Sequence, residues 1–222
     1  MSRFDLVIFD FDGVVADSEL LNNQAMAEVL TDLGLPTTLD DALSTYMGRR
    51  WLDCVPDIEA RLGRPCPETA LSDWTRLCHA RAATSLTPVP GAAAFMADLA
   101  HLRCIASSSP PGWIELGLGT MGIDAQHAGP IYSSAVHVTR GKPHPDLFLH
   151  AAAELGVPAD RTVVIEDSPA GVRAGAAAGM TVLGLLAGGH IRHGHGERLL
   201  AAGADRVLSD YAAVEAFINA QD

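Results

Sequence analysis

The 222-residue chain reads as an α/β protein, a doubly wound parallel sheet carrying an inserted all-helical segment. Three observations predict this. A short apolar run, Leu6-Val7-Ile8-Phe9, lies close to the N-terminus and stops at Asp10, Asp12 and Gly13. A buried parallel strand has this pattern, because both of its faces are covered and it needs no polar alternation. The next seventy residues hold helical periodicity and no strand pattern. From Gly91 onward, short β-branched runs alternate with helical stretches of about ten residues, the signature of right-handed β-α-β crossovers.

Each element follows from local pattern. Leu20, Leu21, Met26, Val29, Leu30 and Leu33 recur at helical spacing until Gly34. Helices are also predicted over 40–48, 51–62 and 68–85, separated by Gly and Pro. Pro88, Pro90 and Gly91 mark a boundary. Beyond it, 92–100 is helical and 103–106 a strand ending in Ser107-Ser108-Ser109. A Gly-interrupted helix spans 113–121, and Ile131-Tyr132 is a weak strand. Residues 145–155 are helical, 162–165 a strand running into Glu166-Asp167, and 169–178 a Pro-initiated helix with Ser168 as its cap. A strand over 181–186, a short one at Val207-Leu208 and a helix over 212–219 close the chain. The expected division is a core of 1–15 and 88–222 with a helical cap of 16–87.

Composition limits the function. The chain is 48% hydrophobic and 19% charged, with a formal net charge of −12. That is ordinary for a globular protein, and the negative charge argues against nucleic acid or an anionic membrane as partner. Apolar runs are far shorter than the ~18 residues a membrane span needs. No charged-then-apolar leader precedes the first strand, so no signal peptide and a cytoplasmic location are expected. The four cysteines form no CxxC pair and are expected to be free thiols. The oligomeric state is left open, with a monomer as the default.

Three predicted strand ends carry the chemistry. In a parallel sheet all carboxyl ends share one edge, which brings Asp10 and Asp12, Ser107, and Glu166 and Asp167 together. Lys142, in Gly-Lys-Pro-His-Pro, precedes a helix on the same edge. Four carboxylates in one crevice repel unless a divalent cation sits among them, and an oxygen-only set suits Mg²⁺. Ser107 and Lys142 can donate to an anion. A carboxylate nucleophile, a hydroxyl, a lysine and Mg²⁺ are the parts that phosphoryl transfer requires.

Four motifs in order, DFDGVVADS (10–18), IASSS (105–109), GKPHPDLF (141–148) and VVIEDSPAGVRAGAAAGM (163–180), resemble the haloacid dehalogenase superfamily, whose core is Rossmann-like and whose helical cap occupies the place of this insert. The resemblance implies Asp10 as nucleophile and Asp12 as general acid and then base, with its carbonyl on the metal. It implies Ser107, Ser108 and Lys142 on the phosphoryl group, Gly13 as close backbone, Asp167 as a metal ligand, and Glu166 as a ligand directly or through water. Gly48, Arg49 and Asn22 of the cap become candidates for reading the substrate, with Arg49 suited to a second anionic group. Asp-Phe-Asp distinguishes phosphate-ester chemistry from the dehalogenases, and from the phosphonate-cleaving branch with its Asp-x-Ala. Asn22 stands where the β-phosphoglucomutase branch carries a histidine. The tail GGHIRHGHGERLLAAGADRVLSD resembles a branch that includes sugar-phosphate and 6-phosphogluconate phosphatases. The implied activity is Mg²⁺-dependent hydrolysis of a small phosphorylated metabolite. Its rivals are a phosphosugar mutase and a phosphoacceptor module without turnover. Arg50 is expected at the surface, His190, His193 and His195 in a solvated loop, and His144 in packing.

Overall fold

A computed structural model describes residues 3–220. Its single sheet is parallel throughout. The strands are β1 (Leu6–Phe9), β2 (Leu102–Ser107), β3 (Ile131–Ser133), β4 (Thr162–Glu166), β5 (Thr181–Leu185) and β6 (Arg206–Leu208), in the spatial order β3-β2-β1-β4-β5-β6. β1 is therefore central, with β2 and β4 on either side, and the strand order reverses beside it. Ligands bind outside the carboxyl ends of the strands at such a switch point.

Register decides which residues share a face. Phe9 pairs with Ile105 and Ile165, and Ile8 with Cys104 and Val164. Side chains alternate along a strand. Val7, Phe9, Ile105, Val163, Ile165 and Leu183 accordingly build one core layer, and Leu6, Ile8, Cys104, Ala106 and Val164 build the opposite one. The first layer is covered by α5 (Ala92–Asp98), α6 (Pro111–Met121) and α11 (Tyr211–Asn219). The second is covered by α8 (Asp146–Glu154) and α9 (Pro169–Ala177), whose alanines (Ala151, Ala152, Ala174) allow close approach to the sheet. A one-turn helix, α7 (Ala125–Ala128), precedes β3, and α10 (His195–Ala202) packs Leu199 against Val172 and Val182.

Between β1 and α5 run α1 (Glu19–Asp32), α2 (Leu39–Thr45), α3 (Trp51–Leu62) and α4 (Thr69–Ser85). They enclose their own core of Met26, Val29, Leu30, Tyr46, Trp51, Cys54 and Ile58, with Trp51 stacked on Trp74 at 5.5 Å. The two chain crossings into this bundle lie side by side. Asp17 N donates to Thr87 O at 2.9 Å, and Val89 N to Val15 O at 2.9 Å.

The structure departs from the sequence expectations in a few places. α6 begins at Pro111, two residues earlier than expected, because proline is favoured in the first helical turn, where its missing N–H costs nothing. The expected helix over 40–48 stops at Thr45, and Gly48 adopts a positive φ of 74° in the turn that follows. α7 and α10 carry no clear sequence signal. α10 is preceded by the left-handed Gly194 in a glycine-rich stretch that masks its start. All four cysteines are free, and burial pushes the Cys54 and Cys78 thiols up to about 12, which keeps them unreactive. Among the described residues no helix is long and apolar enough to cross a membrane.

Candidate active site

The carboxyl edge of β1, β2 and β4 gathers the predicted residues. Asp10 continues β1, and its N–H donates to Ile165 O at 3.0 Å. Its Oδ1 lies 2.7 Å from Lys142 Nζ, and the same ammonium lies 2.6 Å from Glu166 Oε1. All three side chains are almost wholly buried. One lysine thus bridges two strand ends. Burial alone would drive its ammonium toward neutrality, but the two carboxylates more than offset that and push its pKa up. Burial raises the Asp10 carboxyl well above its ordinary range; Lys142 opposes that rise, while Glu166 and Asp167 reinforce it. Asp167 is raised well above its ordinary range by burial and then by repulsion from Glu166.

Glu166 is fully engaged within the protein. Oε1 takes Lys142, and Oε2 accepts from the Asp167 and Ser168 N–H groups and from Ser168 Oγ at 2.9–3.0 Å. Ser168 in turn caps α9 by accepting from Gly171 N, as expected. Asp167 differs: both its carboxylate oxygens are buried and accept no hydrogen bond. Asp10, Glu166 and Asp167 offer oxygens within 4.8 Å of one another. Orphaned buried carboxylate oxygens beside two further carboxylates are what a hard divalent cation would satisfy, so these residues fit one. Gly13, at φ 80°, closes this pocket. A Cβ there would meet Asp167 Oδ2 at 2.0 Å, so only glycine lets the backbone pass.

Asp12 sits in a different setting. Its Oδ1 accepts from Ser18 Oγ at 2.5 Å, Trp113 Nε1 at 2.9 Å and Asn22 Nδ2 at 3.2 Å, and its Oδ2 accepts from Ser109 Oγ at 2.5 Å. Four donors from β1's turn, α1, the β2–α6 loop and α6 therefore hold one carboxylate. Asp10 and Asp12 line a common cleft with Ser107, Ser108, Asn22, Gly48 and Arg49. Ser107 is buried and its Oγ accepts from Ser109 N. Ser108 Oγ donates to Gly48 O at 3.2 Å, joining the sheet edge to the helical bundle. A Cβ on Gly48 would collide with the Ser168 side chain. Arg49 reaches the cleft wall, but its guanidinium is already spent on Asp57 at 2.8 Å and on the Thr45 and Asp53 carbonyls.

Other placements correct the sequence expectations. Arg50 is not a surface residue: it pairs with Asp53 and donates to Ser134 O and Thr139 O across the crevice. His190 and His195 are not solvated; both are buried, and only His193 is exposed. His190 Nε2 lies 2.9 Å from Asp167 Oδ2 without the alignment of a hydrogen bond, and burial holds both imidazoles below the ordinary histidine range. His144 is exposed, not packed. Sequence reasoning passed over Glu19, Ser18, Ser109 and Trp113. Glu19 is buried on the cleft wall and bonded to Asn23, and burial together with repulsion from Asp167 pushes its carboxyl well up. Ser18 and Ser109 are the last residues of the DFDGVVADS and IASSS motifs and Glu19 directly follows the first, which was the available signal for them.

Residues 4–179 match the model of the haloacid dehalogenase-like hydrolases. The chain is 26% identical over 191 residues to the 6-phosphogluconate phosphatase of Escherichia coli, covering 86% of each chain. It is 30% identical to hexitol phosphatase A of the same organism over 182 residues, 81% of this chain and 82% of that one. A solved structure of a family hydrolase from Deinococcus radiodurans, with bound phosphate and sodium, superposes with a TM-score of 0.78 at 33% identity, covering 100% of this chain and 97% of the other. With the strand that ends at Asp10, the lysine and the acidic pair on one sheet edge, the chain belongs to the haloacid dehalogenase-like hydrolases, as a phosphatase.

Proposed function

We propose that the protein hydrolyses a small phosphate monoester, of the sugar-phosphate or sugar-acid-phosphate class, through a phosphoryl group carried transiently on Asp10, with Mg²⁺ as cofactor. The observation that supports this most is the pairing of two unlike carboxylates on one cleft. Asp10 is gripped by a buried lysine, while Asp12, two residues on, is held by four hydrogen-bond donors.

Asp10 attacks phosphorus through a carboxylate oxygen, and the ester P–O bond breaks with its electron pair leaving on the alcohol oxygen. Asp12 supplies the proton to that oxygen. Asp12 then takes a proton from water, whose oxygen attacks phosphorus and releases Asp10. Lys142 counters charge on Asp10 and the transferring oxygens, and the Ser107 hydroxyl donates to the same oxygens. Asp10, the Asp12 carbonyl and Asp167 would hold Mg²⁺, with Glu166 reaching it directly or through water. When bound, the ion would neutralise the phosphoryl charge that this acidic crevice otherwise repels.

In this reading residues 16–87 act as a lid over a catalytic core of 1–15 and 88–222, and Ser108–Gly48 and Arg50 are contacts of the closed form. Asn22 Oδ1, buried on the cleft wall with no hydrogen-bond partner, suits a hydroxyl of a polyhydroxylated leaving group. The phosphatase relatives point to the same class.

A phosphate-release screen over phosphorylated sugars, polyols and sugar acids tests this, run with Mg²⁺ and with a chelator. Turnover should require Mg²⁺ and vanish in Asp10→Asn. Near-normal turnover in that variant refutes the covalent route, and rapid isomerisation without phosphate release would make the enzyme a mutase.

A further inference from the structure

The glycine-rich GGHIRHGHGE stretch has no part in the chemistry above, yet it packs two of its histidines, His190 and His195, against Asp167. His195 Nε2 is 2.6 Å from the Asp167 main-chain carbonyl, and Arg198 reaches His195 Nδ1 at 2.8 Å. A carbonyl can only accept and a guanidinium can only donate. The proton must therefore sit on Nε2, with Nδ1 receiving Arg198. The imidazole is buried and held from both sides in one tautomer. His190 packs edge-on against it at 5.8 Å and presents its own Nε2 to Asp167 Oδ2 at 2.9 Å.

We infer that His195, oriented by Arg198, is a positioning residue that fixes the turn presenting the Asp167 carboxylate to the metal. The geometry supports a mechanical role. Asp167 side-chain oxygens accept no aligned hydrogen bond, with only His190 Nε2 close by at 2.9 Å, in contrast to Glu166, whose carboxylate is held at both oxygens. The main chain of Asp167 is therefore where its orientation is set, and two contacts hold it there. One is the Asp167 N–H bond to Glu166 Oε2, and the other is the His195 bond to the carbonyl. The sequence separation from Asp167 to His195 is 28 residues, so α10 acts as a buttress from outside the strand edge. Outer contacts of this kind typically change metal affinity by about 10–100-fold.

This inference rests on the metal reading proposed above, and Mg²⁺ binding measured by titration calorimetry on the full chain separates the two. Failure of the wild-type protein to bind Mg²⁺ overturns the metal reading itself. Where the wild type binds, His195→Leu should weaken Mg²⁺ binding by at least about tenfold. His195→Gln, whose amide nitrogen can stand where Nε2 stood, should recover most of it. In turnover, the Leu variant should need more Mg²⁺ for half-maximal rate while keeping most of kcat at saturation. Arg198 is exposed, so Arg198→Met leaves the fold intact if the Leu variant is unstable, and it should weaken binding measurably but by less than His195→Leu does. Unchanged Mg²⁺ affinity in His195→Leu or in Arg198→Met, or a Gln variant as weak as the Leu variant, overturns the inference.

Discussion

Asp10 and Asp12 stand two residues apart, and the fold gives them opposite surroundings. Asp10 faces a cation and two carboxylates, so its charge is set by ion pairing and burial. Asp12 faces hydroxyl, amide and indole donors, and no cation touches it. A nucleophile benefits from a fixed position beside a counter-charge. An acid–base group must exchange a proton without moving, and the four neutral donors hold the Asp12 carboxylate in one place. Asp12→Asn keeps the shape of the side chain and loses the exchangeable proton. It should slow steady-state phosphate release by roughly 10²–10⁴-fold, and rapid-quench measurement should show phosphorylated Asp10 decaying slowly. An unaltered rate would remove Asp12 from this role. The same scale shows why Lys142 is costly to lose, since it neutralises two buried carboxylates at once and its removal strands both.

At the scale of elements, the helical bundle is joined to the sheet edge by few polar contacts. The paired crossings at 15–17 and 87–89 lie side by side and would be the hinge of the lid proposed above. Away from it, Arg50 at the start of α3 spans to Ser134 O and Thr139 O, with Asp53 holding its guanidinium in place. Together with the Ser108–Gly48 bond, this clasp would hold the proposed lid closed. Arg50→Ala removes the clasp without touching the reacting groups. Losing hydrogen bonds from a charged donor costs about 1–2 kcal/mol of closure, a rise in KM of roughly 5–30-fold. kcat should fall less. A fall in kcat with KM unchanged would place Arg50 outside the closing motion. α10 is the second element with a specific task, since its first residue braces the β4 turn.

Across the whole molecule the balance is acidic, and the cost is concentrated in one place. Asp10, Glu19 and Asp167 are all raised above the ordinary carboxylate range, chiefly by burial. In the unfolded chain such groups ionise near about pH 4. Their raised folded values mean that the stability they contribute is present below that pH. It is lost as the pH rises through the raised values, because the folded state must then hold buried, mutually repelling anions. Lys142 is raised as well and so has the same sign, but its contribution persists until well above neutrality. A bound divalent cation would relieve the repulsion and stabilise the folded state by mass action. The rise in Tm on adding Mg²⁺ should therefore be larger at about pH 8 than at about pH 5, as thermal unfolding in both buffers would show. An equal rise at both would mean that the ion does not bind the ionised set.

The residue chemistry and the sheet edge were readable without coordinates. Apolar runs of four or five residues ending in Asp, Ser or Glu-Asp dictate buried strands with polar tips, and a parallel sheet must place those tips on one edge. Hence Asp10, Ser107, Lys142, Glu166 and Asp167 could be grouped from pattern alone. What only the tertiary structure decided depends on contacts between distant segments. Arg50 looks like a surface charge beside Arg49, and becomes a clasp only because a carbonyl 84 residues away stands opposite it. Arg49 looks free to bind an anion until Asp57 of the next helical turns takes its charge. The histidine cluster reads as a solvated loop because glycines surround it, but burial is set by what packs on a segment, not by its own composition. The packing of α10 beside α9 turned His190 and His195 inward onto Asp167.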